Sequence, residues 1–349
     1  SGKTSYFKEH PEWAQRGFGN EPALYYGADA EAFWVGEHDE DVWLCPNDPE
    51  YRKVWKNELT EIAETGVDGV YIDVPFLRGY FGETRGWLWA CSCSDCQAKY
   101  KAEYGVNLPS NENWNSQNFR RFINWRFQQT RDFLKEARDA IKAGNPKAAF
   151  IVEHWNCVSD AAEYGLDPEM LKAVSDVRAH EWSNINGSAS DYHLYSWLDD
   201  MVRYLYFRSV DGNQPAWLLG YADEGDSDAS ESLAALQFTA GLNFWETEAP
   251  DMAGSVDENT RTDIFKWVTR NKGLYYKNKT SQVADVALYF SRNSITFDDF
   301  RNDGYPSHSW EEFAGMGMIM LQEHLTFRVV TNMDTPLEDI KLLVLPGIS

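Results

Sequence analysis

Cys91-Ser92-Cys93-Ser94-Asp95-Cys96 sets three thiols within six residues, and a fourth, Cys45, opens a Cys-Pro-Asn-Asp-Pro run. Four thiolates at such spacing suit a tetrahedral zinc ion, and with no position left for water the zinc would be structural. Disulfides are the rival reading, though Cys91 and Cys93 are poorly placed to bridge each other. Unlinked reduced thiols are the other, and Cys157 stands apart as a packing residue. A second chemistry lies in carboxylates that close short apolar runs: Asp73, Glu153, Glu181 and Glu246. A pair of carboxyls, one giving a proton and one attacking or activating water, is what glycosidic cleavage generally needs. Around them stand groups suited to sugar hydroxyls and sugar faces. His154 and Trp155 follow Glu153, His180 and Trp182 flank Glu181, and Tyr221, Glu224 and Trp245 close or follow later runs. His10 and Trp13 join from the N-terminal segment. No Gly-x-Ser-x-Gly elbow exists to suggest a serine hydrolase.

The runs that carry these acids alternate with amphipathic helices. Strands are expected at 41–45, 69–73, 149–153, 176–181, 216–220 and 242–246. Each is followed by a helical pattern, among them 50–65 and 116–143. Asp48 and Pro49 start the first of these helices, and Gly144-Asn145-Pro146 stops the second. Six β-then-α units in succession imply parallel strands joined by right-handed crossovers. A (β/α)8 barrel gathers the strand ends at one mouth, whereas an open sheet spreads them along an edge. No glycine-rich phosphate loop supports the open sheet. The expectation is an α/β TIM barrel over 1–278 with its first two units upstream of this sequence. The pattern restarts with strands at 283–290, 327–330 and 341–346 and a helix from Trp310 to His324, as in a flavodoxin-like domain over 279–349.

Cys45-Pro46-Asn47-Asp48-Pro49 followed 46 residues on by Cys-x-Cys-x-x-Cys resembles the zinc-binding arrangement of family 42 β-galactosidases. Lys341-Leu342-Leu343-Val344-Leu345-Pro346 resembles part of their trimerisation domain. Tyr6 to Trp13 and Asp68-Gly69-Val70-Tyr71-Ile72-Asp73 are closer to a set called hypothetical glycosyl hydrolase family 6, which includes family 151 α-L-fucosidases. That resemblance implies Asp73 as nucleophile and Glu181, in Arg178-Ala179-His180-Glu181-Trp182, as acid/base. It departs from family 42, whose Asn-Glu pair is missing at the Ile72-Asp73 position. The expected activity is a retaining, α-L-fucosidase-like exo-glycosidase. The alternatives are a β-galactosidase-like enzyme using Glu153 and Glu224, or a barrel that binds sugar without cleaving it.

Composition bounds the partners. With 349 residues, 43% of them hydrophobic, the chain can bury a sizeable core, and 15% aromatics leave room for sugar stacking. A net charge of −23 repels phosphate backbones and anionic lipid, so neither nucleic acid nor membrane is expected. The resemblance further implies a homo-oligomer, with a trimer as the form that the C-terminal segment's likeness suggests. The N-terminus lacks the apolar stretch of a signal peptide, so the expected location is cytoplasmic.

Overall fold

The computed structural model describes residues 6–26, 40–81, 86–155, 158, 160–184, 194–212, 214–221, 227–246, 258–275, 282–297, 308–332 and 335–348. The chain forms two compact units, Ser1–Val152 with Asp160–Ser175, and Glu153–Ser159 with Asp176–Ser349.

The first unit holds α1 (Tyr6–Glu9), an antiparallel pair β1 (Leu24–Tyr26) and β2 (Glu40–Val42), then α2 (Pro49–Glu64) and β3 (Gly69–Ile72). It continues through α3 (Ser94–Tyr104), α4 (Gln117–Gly144), the start of β4 (Ala149–Trp155), α5 (Ala161–Tyr164) and α6 (Pro168–Leu171). Asp48 caps α2 by accepting from the Tyr51 amide at 2.9 Å, with Pro49 at the first helical position. The helix then lies along α4, where Trp55 stacks on Phe133 at 5.7 Å. A Cβ on Gly144 would come within 2.5 Å of the Thr60 carbonyl, so only glycine permits this approach. The 3.6-residue stripe of α4 (Phe119, Phe122, Ile123, Phe133, Leu134, Ala137, Ile141) is buried as its spacing predicts.

One expected strand is corrected. Residues 41–45 do not add a parallel strand. Glu40–Val42 pairs antiparallel with β1, and Leu44 bridges Ala14. The physical reason is where the backbone donors go: the Trp43 amide donates to Ala23 and the Cys45 amide to Trp13. The N-terminal segment has satisfied the edge that a barrel neighbour would need.

The second unit holds β5 (Val177–Asn184), α7 (Leu194–Asp211), β6 (Ala216–Tyr221), α8 (Ser227–Ala240), β7 (Asn243–Glu246) and α9 (Glu258–Tyr275). After these come β8 (Val286–Tyr289), α10 (Arg292–Phe297), α11 (His308–Gln322), β9 (Phe327–Val330) and β10 (Leu342–Val344). Strand order follows chain order, β3-β4-β5-β6-β7, with β4 common to both units. Parallel neighbours taken in chain order, each returning through helix, are the succession of a barrel; a doubly wound sheet reverses direction part-way. A separate parallel sheet has the order β10-β8-β9. Val202, Leu205 and Tyr206 of α7 share one buried cluster with Leu218, Leu288, Phe313 and Val329, so both sheets of this unit pack on one helix. A Cβ on Gly317 of α11 would lie 2.7 Å from Val202, which makes that contact close.

Candidate functional site

Two constellations emerge, one in each unit. In the first unit Cys93 is the N-cap of α3, Cys96 lies in its first turn, and Cys45 precedes the turn into α2. The Sγ atoms of Cys45, Cys91, Cys93 and Cys96 all lie within 4.8 Å of one another, and all four residues are buried. Cys45 is 3.6 Å from Cys93 and 3.5 Å from Cys96. These are not disulfide lengths. They approach the ~3.8 Å between sulfurs held ~2.3 Å from one tetrahedral ion. Around the sulfurs the Asn47 amide donates to Cys45 and its side chain to Cys96, each at 3.4 Å, while Lys99 donates to the Asn47 oxygen at 3.1 Å. Donors aimed at sulfur support thiolate charge. Burial pushes the Cys45 and Cys96 thiols well up, whereas hydrogen bonds from Cys45, Cys91 and Cys96 draw Cys93 far down. Four buried sulfurs of this arrangement could hold a metal ion.

The second constellation lies at the strand ends of the second unit. Glu153 on β4 and Glu181 on β5 bring carboxylate oxygens within 4.8 Å. Glu153 is fully buried and Glu181 half-buried. Asp73 follows β3 in the first unit and is exposed. Ile72, the last residue of β3, is in register with Val152.

The residues flanking Glu181 in sequence face away from it. Successive side chains of a strand point to opposite faces, and on β5 Arg178, His180 and Trp182 all reach α7. Arg178 bonds Asp211 through Nε and donates to Gln214 at 2.6 Å. His180 Nε2 lies 2.7 Å from Asp211 Oδ2, and Trp182 donates to Asp200 at 2.8 Å. Trp182 also faces the Arg203 guanidinium at 3.8 Å, which lies 4.3 Å from the Trp310 ring on its way to α11. His154 takes the same buried side, its Nε2 2.6 Å from His180 Nδ1. Neither histidine is exposed, and both rings lie against Phe207. Burial, then His180, Arg178 and Arg292, hold His154 well below the usual histidine range.

His10 stacks on Trp13 at 3.9 Å, and Trp13 is buried beside Tyr6 and Tyr51, so this pair anchors the N-terminal segment to α2. Trp245 is half-buried and edge-on to Trp217 at 6.2 Å. Glu224 and the side chains of Trp155, Tyr221 and Glu246 lie outside the described residues, as does Cys157. Sequence reasoning missed Asp211, Arg178 and Gln214. The available signal was an Arg and a His two apart on a strand that should be buried, which demands a charged partner on the facing helix.

No protein-family model matches the chain, and no curated protein matches it. Solved structures do. A β-galactosidase from Rahnella sp. R3 superposes with a TM-score of 0.70 at 15% identity, covering 97% of this chain and 55% of its own. A β-galactosidase from the haloarchaeon Halorubrum lacusprofundi gives 0.65 at 12% identity, over 99% of this chain and 57% of its own. Gan42B, a GH42 β-galactosidase from G. stearothermophilus, gives 0.63 at 15%, over 97% and 55%. The chain has their fold. It spans about half the length of these β-galactosidases. A GH5_18 protein from Streptomyces cattleya is similar over 85% of this chain with a TM-score of 0.51. These likenesses give the α-L-fucosidase expectation no support.

Proposed function

We propose that the chain carries the active site of a retaining glycoside hydrolase, acting on a carbohydrate by two-carboxylate chemistry. One observation carries the reading: Glu153 and Glu181 put carboxylate oxygens within 4.8 Å of each other at adjacent parallel strand ends. Retaining enzymes hold their two carboxyls ~5–5.5 Å apart, while inverting enzymes leave ~6.5–9.5 Å for a water. In this reading one of the pair protonates the leaving oxygen and the other attacks the anomeric carbon. Asp73, the nucleophile implied by the fucosidase resemblance, is the third candidate. A β-galactoside is the preferred substrate, because the similar solved structures are β-galactosidases; an α-L-fucoside is the second reading and rests on the resemblance that implies Asp73 as nucleophile and Glu181 as acid/base. The Cys45, Cys91, Cys93 and Cys96 sulfurs are proposed to hold zinc in a structural role, since four thiolates fill a tetrahedral ion. Residues 279–349 are proposed as the start of a flavodoxin-like oligomerisation domain, supported by the β10-β8-β9 parallel sheet.

A panel of aryl glycosides tests the reading. Turnover of one of them should fall by about 10²–10⁴-fold in Glu153→Gln and in Glu181→Gln. In the corresponding alanine variants azide should give a glycosyl azide of inverted configuration where the nucleophile has been removed and of retained configuration where the acid/base has, and Asp73→Ala tests whether that nucleophile is Asp73. Binding of sugar without turnover by the unaltered protein would leave a carbohydrate-binding barrel and sink the enzyme.

A further inference from the structure

Behind the two carboxylates lies a buried chain of polar groups that substrate does not reach. It runs from His154 Nε2 to His180 Nδ1 at 2.6 Å, then from His180 Nε2 to Asp211 Oδ2 at 2.7 Å. Arg178 closes it by bonding Asp211 through Nε and donating from Nη2 to the Asp211 carbonyl at 2.9 Å. His154, Arg178, His180 and Asp211 are all fully buried. The chain has a direction. The Asp211 carboxylate can only accept, so His180 donates to it from Nε2. His154, kept neutral by burial, meets Nδ1 of His180 through its own Nε2. Arg178 pairs with the Asp211 carboxylate at the other end of the chain.

Its position relative to the carboxylates gives it meaning. His154 is the residue after Glu153 on β4, and His180 the residue before Glu181 on β5. Neighbours on a strand point to opposite faces, so the imidazole bond ties β4 to β5 on the helix side, at the level where the two carboxylates emerge on the other. Slippage or spreading of the strands there would move the carboxylates apart. A parallel ladder alone resists such a shift only through its slanted bonds.

We propose that His154, His180 and Asp211 are positioning residues that fix the spacing of the Glu153 and Glu181 carboxylates. The inference rests on the glycosidase reading above. Displacement of a reacting group by about 1 Å costs on the order of 10²-fold in rate, so the loss belongs in kcat rather than in substrate binding.

The test compares two substitutions of one side chain. Glutamine places its amide near the imidazole Nε2, so His154→Gln keeps a hydrogen-bonding group there, while His154→Leu fills similar space without one. On the aryl glycoside the unaltered protein cleaves best, His154→Leu should lose about 10–100-fold in kcat with KM within about twofold. His154→Gln should recover to within about threefold, and Asp211→Asn should behave as the leucine variant does. Each variant is first checked for an unchanged melting temperature. Equal activity of His154→Leu and His154→Gln, at any level, overturns the proposal. If His154→Leu does not fold, Asp211→Asn decides: full kcat in that folded variant overturns it. Failure of the glycosidase reading looks different, since the unaltered protein would then cleave no glycoside in the panel, and the positioning role would fall with it.

Discussion

At the scale of single residues, the proposed zinc accounts for the crowding of the four cysteines. Cys45 lies 3.6 Å from Cys93 and 3.5 Å from Cys96 in a buried pocket, where burial first and then the neighbouring cysteines oppose ionising Cys45 and Cys96. A divalent ion reverses that balance, because thiolates bound to metal are stabilised by more than the cost of losing water. Cys93 at the N-cap and Cys96 in the first turn of α3 also feel the positive end of the helix. The protein should therefore carry one equivalent of zinc, measured by elemental analysis. Cys93→Ser should lower the zinc content and the melting temperature together, and a strong chelator should do the same to the unaltered protein. A zinc-free preparation that melts at the same temperature after chelator treatment would remove the structural role. Activity should follow stability here, since the cluster offers no coordination position for substrate.

At the scale of elements, the loop after β3 is tied to α4 and α5 by buried charges. Arg126 of α4 donates to the carbonyls of Ala90 at 2.7 Å and Glu163 at 3.1 Å, and also bonds those of Leu77 and Ala162. Arg78 meets the Glu163 carboxylate at 3.4 Å, and the Gly79 amide donates to the Glu163 carbonyl at 2.6 Å. Burial pushes the Glu163 carboxyl up to about 7 and outweighs the opposing pull of Arg78 and Arg126. The sign follows from proton counting: between the ordinary carboxyl value of 4.5 and about 7 the folded state binds more protons than the unfolded one. Stability from this group is therefore fully present below about 4.5 and is lost as pH rises through about 7. The ceiling is on the order of 3 kcal/mol. Glu163→Gln, which mimics the neutral form, should flatten that pH dependence in denaturant titrations at acidic and at neutral pH. An unaltered slope would show that Glu163 stays ionised in the folded protein.

Element positions were legible in the sequence where periodicity was strong, as in the buried stripe of α4 and the runs that became β3 to β7. Which way side chains point was legible only in part. His180 and Trp182 look like companions of Glu181 because they adjoin it, yet a period of two sends adjacent residues to opposite faces. Tertiary partners carry no local signal at all. Nothing in Asp41-Val42-Trp43-Leu44-Cys45 says that its amides will meet Trp13 and Ala23 rather than a parallel neighbour, and nothing near Asp211 announces its bonds to Arg178 and His180.

At the scale of the whole molecule, charge sets the response to solvent. There are 55 acidic side chains against 32 basic ones, a net charge of −23. Folding gathers that charge, and the resulting self-repulsion destabilises the compact state. Salt acts on two opposing quantities. It weakens attractive pairs on the surface, such as Lys135–Asp139, Lys266–Asp263 and Lys341–Asp285, all between well-exposed groups. It also screens the repulsion among the unmatched acids. Exposed pairs contribute only ~0–1 kcal/mol each, whereas the excess acids act over the full reach of unscreened charge. That reach falls from about 20 Å to about 4 Å between about 20 mM and about 500 mM salt. Relief of repulsion should win. Melting temperature should rise by several degrees across this range of sodium chloride, and most of the rise should come below about 200 mM, where the screening length changes fastest. A flat or falling melting curve would mean that local ion pairs, rather than net charge, govern the electrostatics of this fold.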